Sequence, residues 1–239
     1  IEAGLILSQQ LLRQRVERVL ILTPETLTHQ WLVEMQRRFH FTFSLLNKAR
    51  LEETDPVEEY ADNALIISPT QLFADDPDLA EVVTQLPWDM VIIDEAHHLS
   101  GLSEPRSPLG AFAHKLASTT RGLLLLTATP EQAGLKNHFE RLQLIDPDRF
   151  PDFEQFRTEQ EQFTLWNAII EQIEDGLSPD LPDGIDASAD TDTQIQQMLD
   201  RYGTGRVLYR NSRRSIAGFP KRHLHEYPLT LPTLYGMQK

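Results

Sequence analysis

The sequence of 239 residues contains no cysteine, which excludes disulfide bonds and thiolate metal sites and is compatible with a reducing cytoplasm. It has no apolar run of the roughly 20 residues that a membrane-spanning helix needs. Its first residues also lack the basic segment and apolar stretch of a signal peptide. We therefore expect a cytoplasmic protein without a membrane partner. The formal net charge of -14 argues against the chain as a whole enclosing a nucleic acid.

A Gly-Lys dipeptide is also missing, so the chain contains no Gly-x-x-x-x-Gly-Lys-[Ser/Thr] phosphate loop. The first twelve residues predict a helix, with Ile1, Leu5, Ser8 and Leu12 on one stripe, but no capping residue precedes them. A phosphate loop leads directly into a helix whose amino end holds the phosphates. We expect the chain to be a fragment whose phosphate loop lies upstream.

Residues 1–150 alternate apolar runs with amphipathic stretches, which predicts an α/β fold with a parallel sheet flanked by helices and incomplete at the N-terminus. The predicted strands are 18–22, 41–46, 64–67, 90–93 and 123–126. Helices are expected at about 1–12, at 27–39 with Thr26 as its cap, from Asp76-Pro77 onwards, and at 109–116 after a loop at 101–108.

The pattern after residue 150 becomes helical and acidic, which predicts a mainly helical insertion at 151–204. Within it, residues 177–192 are rich in Asp, Pro, Gly and Ser and are expected to form a mobile loop. Residues 205–239 are expected to return to the first domain, with extended segments at 206–210 and 223–231, and to form a basic connection towards a missing second lobe.

An acidic pair, Asp94-Glu95, ends the apolar run 90–93, and Thr127 and Thr129 follow the apolar run 123–126. Because ligands of parallel sheets sit beyond the carboxyl ends of the strands, these side chains are expected to face one crevice. One hypothesis is that the acids simply end a strand. The other is a site for ATP hydrolysis, in which Asp94 holds magnesium through water while Glu95 orients the attacking water and accepts its proton.

Two histidines follow the acidic pair, and they raise two interpretations. A zinc site lacks a second cluster of His or Cys at ligand spacing. The alternative is that His97 hydrogen-bonds to the hydroxyl of Thr127 or Thr129 and so links the two strands, while His98 packs. Threonines at strand ends commonly satisfy local backbone groups instead.

Three motifs together resemble the first RecA-like lobe of superfamily-two helicase motors. They are Asp-Glu-Ala-His at 94–97, Leu-Thr-Ala-Thr-Pro at 126–130, and Pro-x-x-Leu-x-x-Gln-Trp-x-x-Glu at 24–34. The last is similar to the pattern of Snf-type translocases of double-stranded DNA. The segments 94–99, 123–131, 138–142, 146–150 and 206–213 resemble the bacterial RNA-polymerase-associated branch of that family.

The resemblance implies a longer protein with ATP and magnesium bound between two RecA-like lobes, double-stranded DNA across both, and RNA polymerase as a partner that it recycles. The missing second lobe and phosphate loop imply that this chain alone is inactive. The resemblance also implies that side chains after two of the strands face the DNA backbone. They are Thr23 and Pro24 after the first strand, and Ser68 and Thr70 after the strand at 64–67.

Seven Lys or Arg and no acid lie between residues 201 and 225, on an otherwise acidic chain. This basic segment either contacts DNA or a neighbouring domain, or pairs with acids of its own lobe. The residues concerned are Arg210, Arg213, Arg214, Lys221 and Arg222.

Two other classes of function stay open. One is a non-catalytic module that docks to polymerase or DNA, and the other is the motor of a restriction or RNA helicase system. The Gln30-Trp31 pair favours the Snf-type translocase over the second of these.

Overall fold

The structure of the protein, a computed structural model, describes residues 1–99, 101–128, 134–174, 180–182 and 185–202. These residues form a RecA-like α/β lobe with five parallel strands, followed by two further helices, which confirms the predicted fold class. The elements are α1 (Glu2–Leu12), β1 (Val19–Thr23), α2 (Thr28–Phe39), β2 (Ser44–Leu45), α3 (Lys48–Leu51), α4 (Pro56–Asp62), β3 (Leu65–Pro69), α5 (Thr70–Asp75), α6 (Pro77–Thr84), β4 (Met90–Ile93), α7 (Pro108–Thr119), β5 (Gly122–Leu125), α8 (Leu135–Ile145), α9 (Phe153–Glu174) and α10 (Thr191–Tyr202).

The strand order is β2-β3-β1-β4-β5, so the first strand in the chain lies at the centre of the sheet. Val19 pairs with Leu65 of β3 on one side and with Met90 of β4 on the other. Every residue of β1 and β4 is buried, whereas those of the edge strand β5 are half-buried. Apolar residues on both faces of the central strands explain why their sequences are continuous apolar runs.

Alternate residues of the strands pack into two cores on opposite faces of the sheet. Leu20, Ile66 and Val91 belong to the core that also contains residues of α4 to α7. Ile21 and Ile92 belong to the core that contains residues of α1 and α2. The sheet is therefore covered by helices on both faces, and its carboxyl edge between them positions the acidic pair.

Helix α1 is confirmed, but its buried residues are Ala3, Gly4 and Leu7, while Ile1 and Leu5 of the predicted stripe are exposed. Two other predictions are wrong. Thr26 does not cap α2, because a 3-10 turn at Glu25–Leu27 precedes the helix and no side chain caps it. The predicted strand at 41–46 contains strand structure only at Ser44–Leu45.

The capping prediction at Asp76 is confirmed, since its carboxylate accepts a hydrogen bond from Leu79 N. Helix α7 is longer than the predicted 109–116 because Ser107 caps it and Pro108 occupies its first turn. Helices α9 and α10 agree with the helical pattern after residue 150. The segments expected to be extended, at 206–210 and 223–231, lie outside the described residues, as does part of the loop expected at 177–192.

No helix in the ranges that the structure describes is long and apolar enough to cross a membrane.

Candidate functional site

The acidic pair lies directly after β4, next to the central strand β1 at the carboxyl edge of the sheet. The Asp94 amide still donates to Leu22 O of β1 at 2.8 Å, whereas Glu95 adopts a φ of 50° in the left-handed region. This conformation is uncommon for a residue other than glycine, and such residues cluster at functional sites. The chain then turns, and Ala96 N donates to Leu126 O at 2.8 Å, which ties the turn to the end of β5.

The Asp94 carboxylate accepts three hydrogen bonds. Its Oδ1 atom accepts from Glu95 N at 2.9 Å, and its Oδ2 atom accepts from Trp31 Nε1 at 2.7 Å and from Thr23 Oγ1 at 3.4 Å. The sequence places Trp31 in the motif at 24–34 but gives no signal for the partner of its indole N–H. The contact fixes the position of Asp94 from a helix on one face of the sheet.

Glu95 faces the histidine two residues further on. Its Oε2 atom lies 3.0 Å from His97 Nδ1, at the distance of an ion pair. This contact is not a hydrogen bond, and among the described residues the buried Oε2 atom has no hydrogen-bond partner. The same His97 Nδ1 atom lies 3.4 Å from Thr127 Oγ1, so the predicted contact between His97 and Thr127 is present. The predicted packing of His98 is also present, with ring centroids 4.0 Å from His97.

A cavity of about 530 Å³ opens beside Asp94. Its wall includes Trp31 and Arg38 of α2, Leu126 after β5, and residues at the amino end of α1. A cavity at the carboxyl ends of parallel strands is the usual ligand site of such sheets. An anionic ligand would meet the acidic pair through a cation, because carboxylates and phosphates repel each other.

The residues at the acidic pair fit a magnesium ion. A carboxylate has about four acceptor positions, and three on Asp94 are used, which leaves room for one contact to a metal-bound water. The buried Oε2 atom of Glu95 adds an oxygen without a hydrogen-bond partner. Magnesium keeps several waters and needs only one or two carboxylates. Among the described residues, no group of three or more His, Cys, Asp or Glu side chains is placed to hold a metal ion.

Two of the hydroxyls predicted to face a nucleic acid are used within the lobe. Thr23 is fully buried and directs its hydroxyl to Asp94, and Ser68 is fully buried and donates to Leu46 O at 2.8 Å. Pro24 and Thr70 are half-buried, and the Thr70 hydroxyl has no hydrogen-bond partner in the described part of the chain. The remaining predicted site residues lie outside the described residues: Thr129, Arg210, Arg213, Arg214, Lys221 and Arg222.

The parallel sheet and the acid pair at its carboxyl edge define a RecA-like lobe. A sequence model of the SNF2-related domain matches residues 4–224, and the chain belongs to that family. The Snf-type resemblance predicted from the motifs is thereby confirmed.

The chain is similar to the RNA polymerase-associated protein RapA of Pseudomonas fluorescens strain Pf-5, with 42% identity over 98% of this chain and 27% of that protein. It has the same identity and coverage to RapA of Pseudomonas putida strain GB-1. The chain thus spans about a quarter of the length of these curated relatives. A solved structure, the Sulfolobus solfataricus SWI2/SNF2 ATPase core in complex with double-stranded DNA, aligns with 64% of this chain and 30% of that one, with a TM-score of 0.49 and 17% identity.

Proposed function

We propose that this chain is the first motor lobe of an ATP-dependent translocase of double-stranded DNA that recycles RNA polymerase during transcription. The observation that carries the proposal is the carboxylate pair after β4, beside the cavity at the carboxyl edge of the sheet. Membership of the SNF2-related family and the similarity to RNA polymerase-associated proteins support the class of motor and the partner.

In this proposal the two acids have different tasks. Asp94 is held by Trp31 and Thr23 and would hold a magnesium ion through water, and that ion would supply neutralising charge to the phosphates of ATP. Glu95 orients the attacking water and accepts its proton. His97 contacts both the Glu95 carboxylate and Thr127, which follows β5. A shift of β5 relative to β4 would therefore move His97 and change the position of the Glu95 carboxylate, the proton acceptor.

The rest of the motor is assigned to other parts of a longer protein. A second RecA-like lobe would close the nucleotide site, and DNA would lie across both lobes. Residues 151–204 would form the helical insertion, and residues 205–239 would return to the lobe and carry the basic segment to DNA. Arg210 and Lys221 are representative of the cations proposed to contact phosphates.

The test is ATP hydrolysis by the full-length protein, measured with and without double-stranded DNA. The proposal expects turnover that requires magnesium, rises with DNA, and is lost in Glu95→Gln. A second assay follows the release of RNA polymerase from stalled transcription complexes. A rate of ATP hydrolysis that is the same with and without DNA would contradict the translocase. DNA-stimulated hydrolysis without any effect on the release of RNA polymerase would contradict the proposed partner.

A non-catalytic module that docks to polymerase or DNA is the second candidate. It expects the full-length protein to bind polymerase or DNA with the same affinity in the presence and absence of ATP. A nucleotide-dependent change in that affinity would exclude the module.

A further inference from the structure

The segment from β1 to α2 contacts one oxygen of Asp94 twice. Thr23, the last residue of β1, and Trp31, in the first turn of α2, both donate to Oδ2, at 3.4 and 2.7 Å. The two donors come from opposite ends of the turn that connects the strand to the helix. This turn therefore cannot move as a unit without changing the surroundings of the carboxylate.

The indole is suited to orienting a carboxylate that also binds a cation. An indole N–H is a donor only and carries no net charge, so it does not displace a metal ion as a lysine or arginine would. The short distance is typical of a hydrogen bond to an ionised acceptor, which is stronger than one between neutral groups. The bond leaves one oxygen, Oδ1, facing only its own backbone neighbour.

Trp31 is held firmly enough to act on Asp94. It is half-buried, and the next turn of α2 anchors the helix through Met35, which is only 2% exposed and packs with the strand residues Ile21 and Ile92. The Asp94 backbone is fixed independently by its hydrogen bond to Leu22. The side-chain rotation of Asp94 is then set by its three hydrogen bonds, of which the one from the indole is the shortest.

We infer that Trp31 is a positioning residue that orients Asp94 for magnesium and makes the metal affinity of the site depend on the position of α2. The inference rests on the proposed function for the presence of magnesium. The hydrogen bond between Trp31 and Asp94 can be tested in the absence of magnesium. Partners that orient a metal-binding carboxylate contribute about 10-fold or more to metal affinity or activity.

The first experiment examines the chain itself by NMR of the tryptophan indole N–H groups. In Asp94→Ala, the Trp31 indole proton moves upfield and exchanges faster with solvent, because its acceptor is gone. Trp88 is the internal control, since its indole donates to the carbonyl of Val83 at 2.8 Å and does not contact Asp94. Equal changes at both indoles, or no change at Trp31, would overturn the inference.

The second experiment uses the full-length protein and the magnesium concentration that gives half-maximal ATP hydrolysis. Trp31→Phe keeps the ring and removes the N–H, and it is expected to raise this concentration about 10-fold, with kcat largely recovered at saturating magnesium. Trp88→Phe removes the other indole hydrogen bond and is expected to lower the melting temperature without changing the magnesium requirement. A Trp31→Phe protein that melts lower but keeps the wild-type magnesium requirement has lost only packing, and the inference fails.

Asp94→Asn separates the two proposals. If it leaves the magnesium requirement unchanged, the assignment of Asp94 in the proposed function is wrong. If it raises the requirement while Trp31→Phe does not, the proposed function stands and the inference about Trp31 is wrong. If Trp31→Phe does not fold, the inference is tested by the NMR experiment on Asp94→Ala, in which Trp31 is intact.

Discussion

The Glu95 carboxylate lies 3.0 Å from the Nδ1 atom of His97, and the turn that brings them together depends on the left-handed conformation of Glu95. The Asp94 carboxylate accepts three hydrogen bonds, whereas the Oε2 atom of Glu95 accepts none from the described residues. In the proposed function, Glu95 is the member of the pair that acts on the attacking water.

Glu95→Gln in the full-length protein is expected to slow ATP hydrolysis roughly 10²-fold to 10⁴-fold, the usual effect of removing a positioned base. Nucleotide binding should persist, because the amide keeps the size of the side chain. DNA-stimulated turnover and nucleotide affinity are the measurements. Glu104→Gln, an exposed glutamate in the loop before α7, is the control and should leave both unchanged. If Glu95→Gln hydrolyses ATP at the wild-type rate, Glu95 is not the base that accepts the proton of the attacking water.

The chain of 239 residues by itself is expected neither to bind Mg-ATP tightly nor to hydrolyse it. The backbone amides and lysine of a phosphate loop are the main cradle of a triphosphate, and this sequence has no such loop. Calorimetric titration with Mg-ATP measures the affinity. Micromolar binding or turnover above background would show that the cavity beside Asp94 holds nucleotide without the loop.

The basic segment is tested by the salt dependence of DNA binding. If Arg210, Arg213 and Lys221 contact phosphates in the full-length protein, each alanine substitution should weaken binding to all sequences alike. Each should also reduce the slope of log affinity against log salt by about one unit. If these residues pair with acids of the lobe instead, the slope stays constant and stability falls by about 0 to 1 kcal/mol per exposed pair. Thermal melts of the same variants distinguish the two outcomes.

Gly4→Ala is expected to destabilise the lobe by about 1 to 3 kcal/mol, because a methyl group at this position overlaps the Phe39 ring at the end of α2. The gain of up to about 1 kcal/mol from the better helix propensity of alanine opposes this loss only in part. Denaturant unfolding measures the difference. The double variant Gly4→Ala with Phe39→Leu should recover part of the stability, and a lack of recovery would mean that the two residues are not in contact.

The carboxylate of Asp89 fixes the beginning of β1, since it accepts hydrogen bonds from the amides of Arg18 and Glu17 at 3.0 and 2.9 Å. The Arg18 amide first and the Glu17 amide second lower the pKa of Asp89 below its usual value. A lowered folded-state pKa gives stability that is present above the unfolded-state pKa of about 4 and is lost as the pH falls through the folded-state value.

Asp89→Asn is therefore expected to cost about 1 kcal/mol at pH 7, a small value for a charged acceptor because the carboxyl is accessible to solvent. The difference from the wild type should shrink as the pH falls from about 4 through the lowered folded-state pKa of Asp89, below which the wild-type carboxyl is protonated in both states. Urea unfolding at several pH values measures this, with Asp148→Asn, an exposed aspartate, as the control. If the difference in the free energy of unfolding between Asp89→Asn and the wild type does not depend on pH, the loss of stability comes from the shape of the side chain and not from its charge.

The buried strands were predictable because their signal is local. The runs at 90–93 and 123–126 are continuous and apolar, and β4 and β5 begin and end within one residue of the predicted bounds. The edge strand β2 was harder. His40 ends α2 in the left-handed conformation, and Phe43 then packs into the core with α1 and α2, so only Ser44–Leu45 pair with β3.

The short helices α3 and α4 were missed, although Asp55-Pro56 carries the same capping signal as Asp76-Pro77. In the site, Asp94, Glu95, His97 and Thr127 could be found because their motifs follow apolar runs. Trp31 belongs to the motif at 24–34, but its contact with Asp94 could not be predicted, because the sequence does not show whether the indole N–H meets a carboxylate or water. The buried hydrogen bonds of the Thr23 and Ser68 hydroxyls could not be predicted either, because they also join segments that are distant in sequence.

The central position of β1 has a consequence for the order of folding. Its partners, β3 and β4, begin at Leu65 and Met90, so the strand completes its hydrogen bonds only after long segments of chain have closed into loops. Contacts so distant in sequence slow the search for the native topology. During synthesis, β1 remains an apolar segment without its hydrogen bonds to β4 until β4 has left the ribosome. A stall of translation before residue 90 would leave this strand exposed, and chaperone binding is expected to concentrate there.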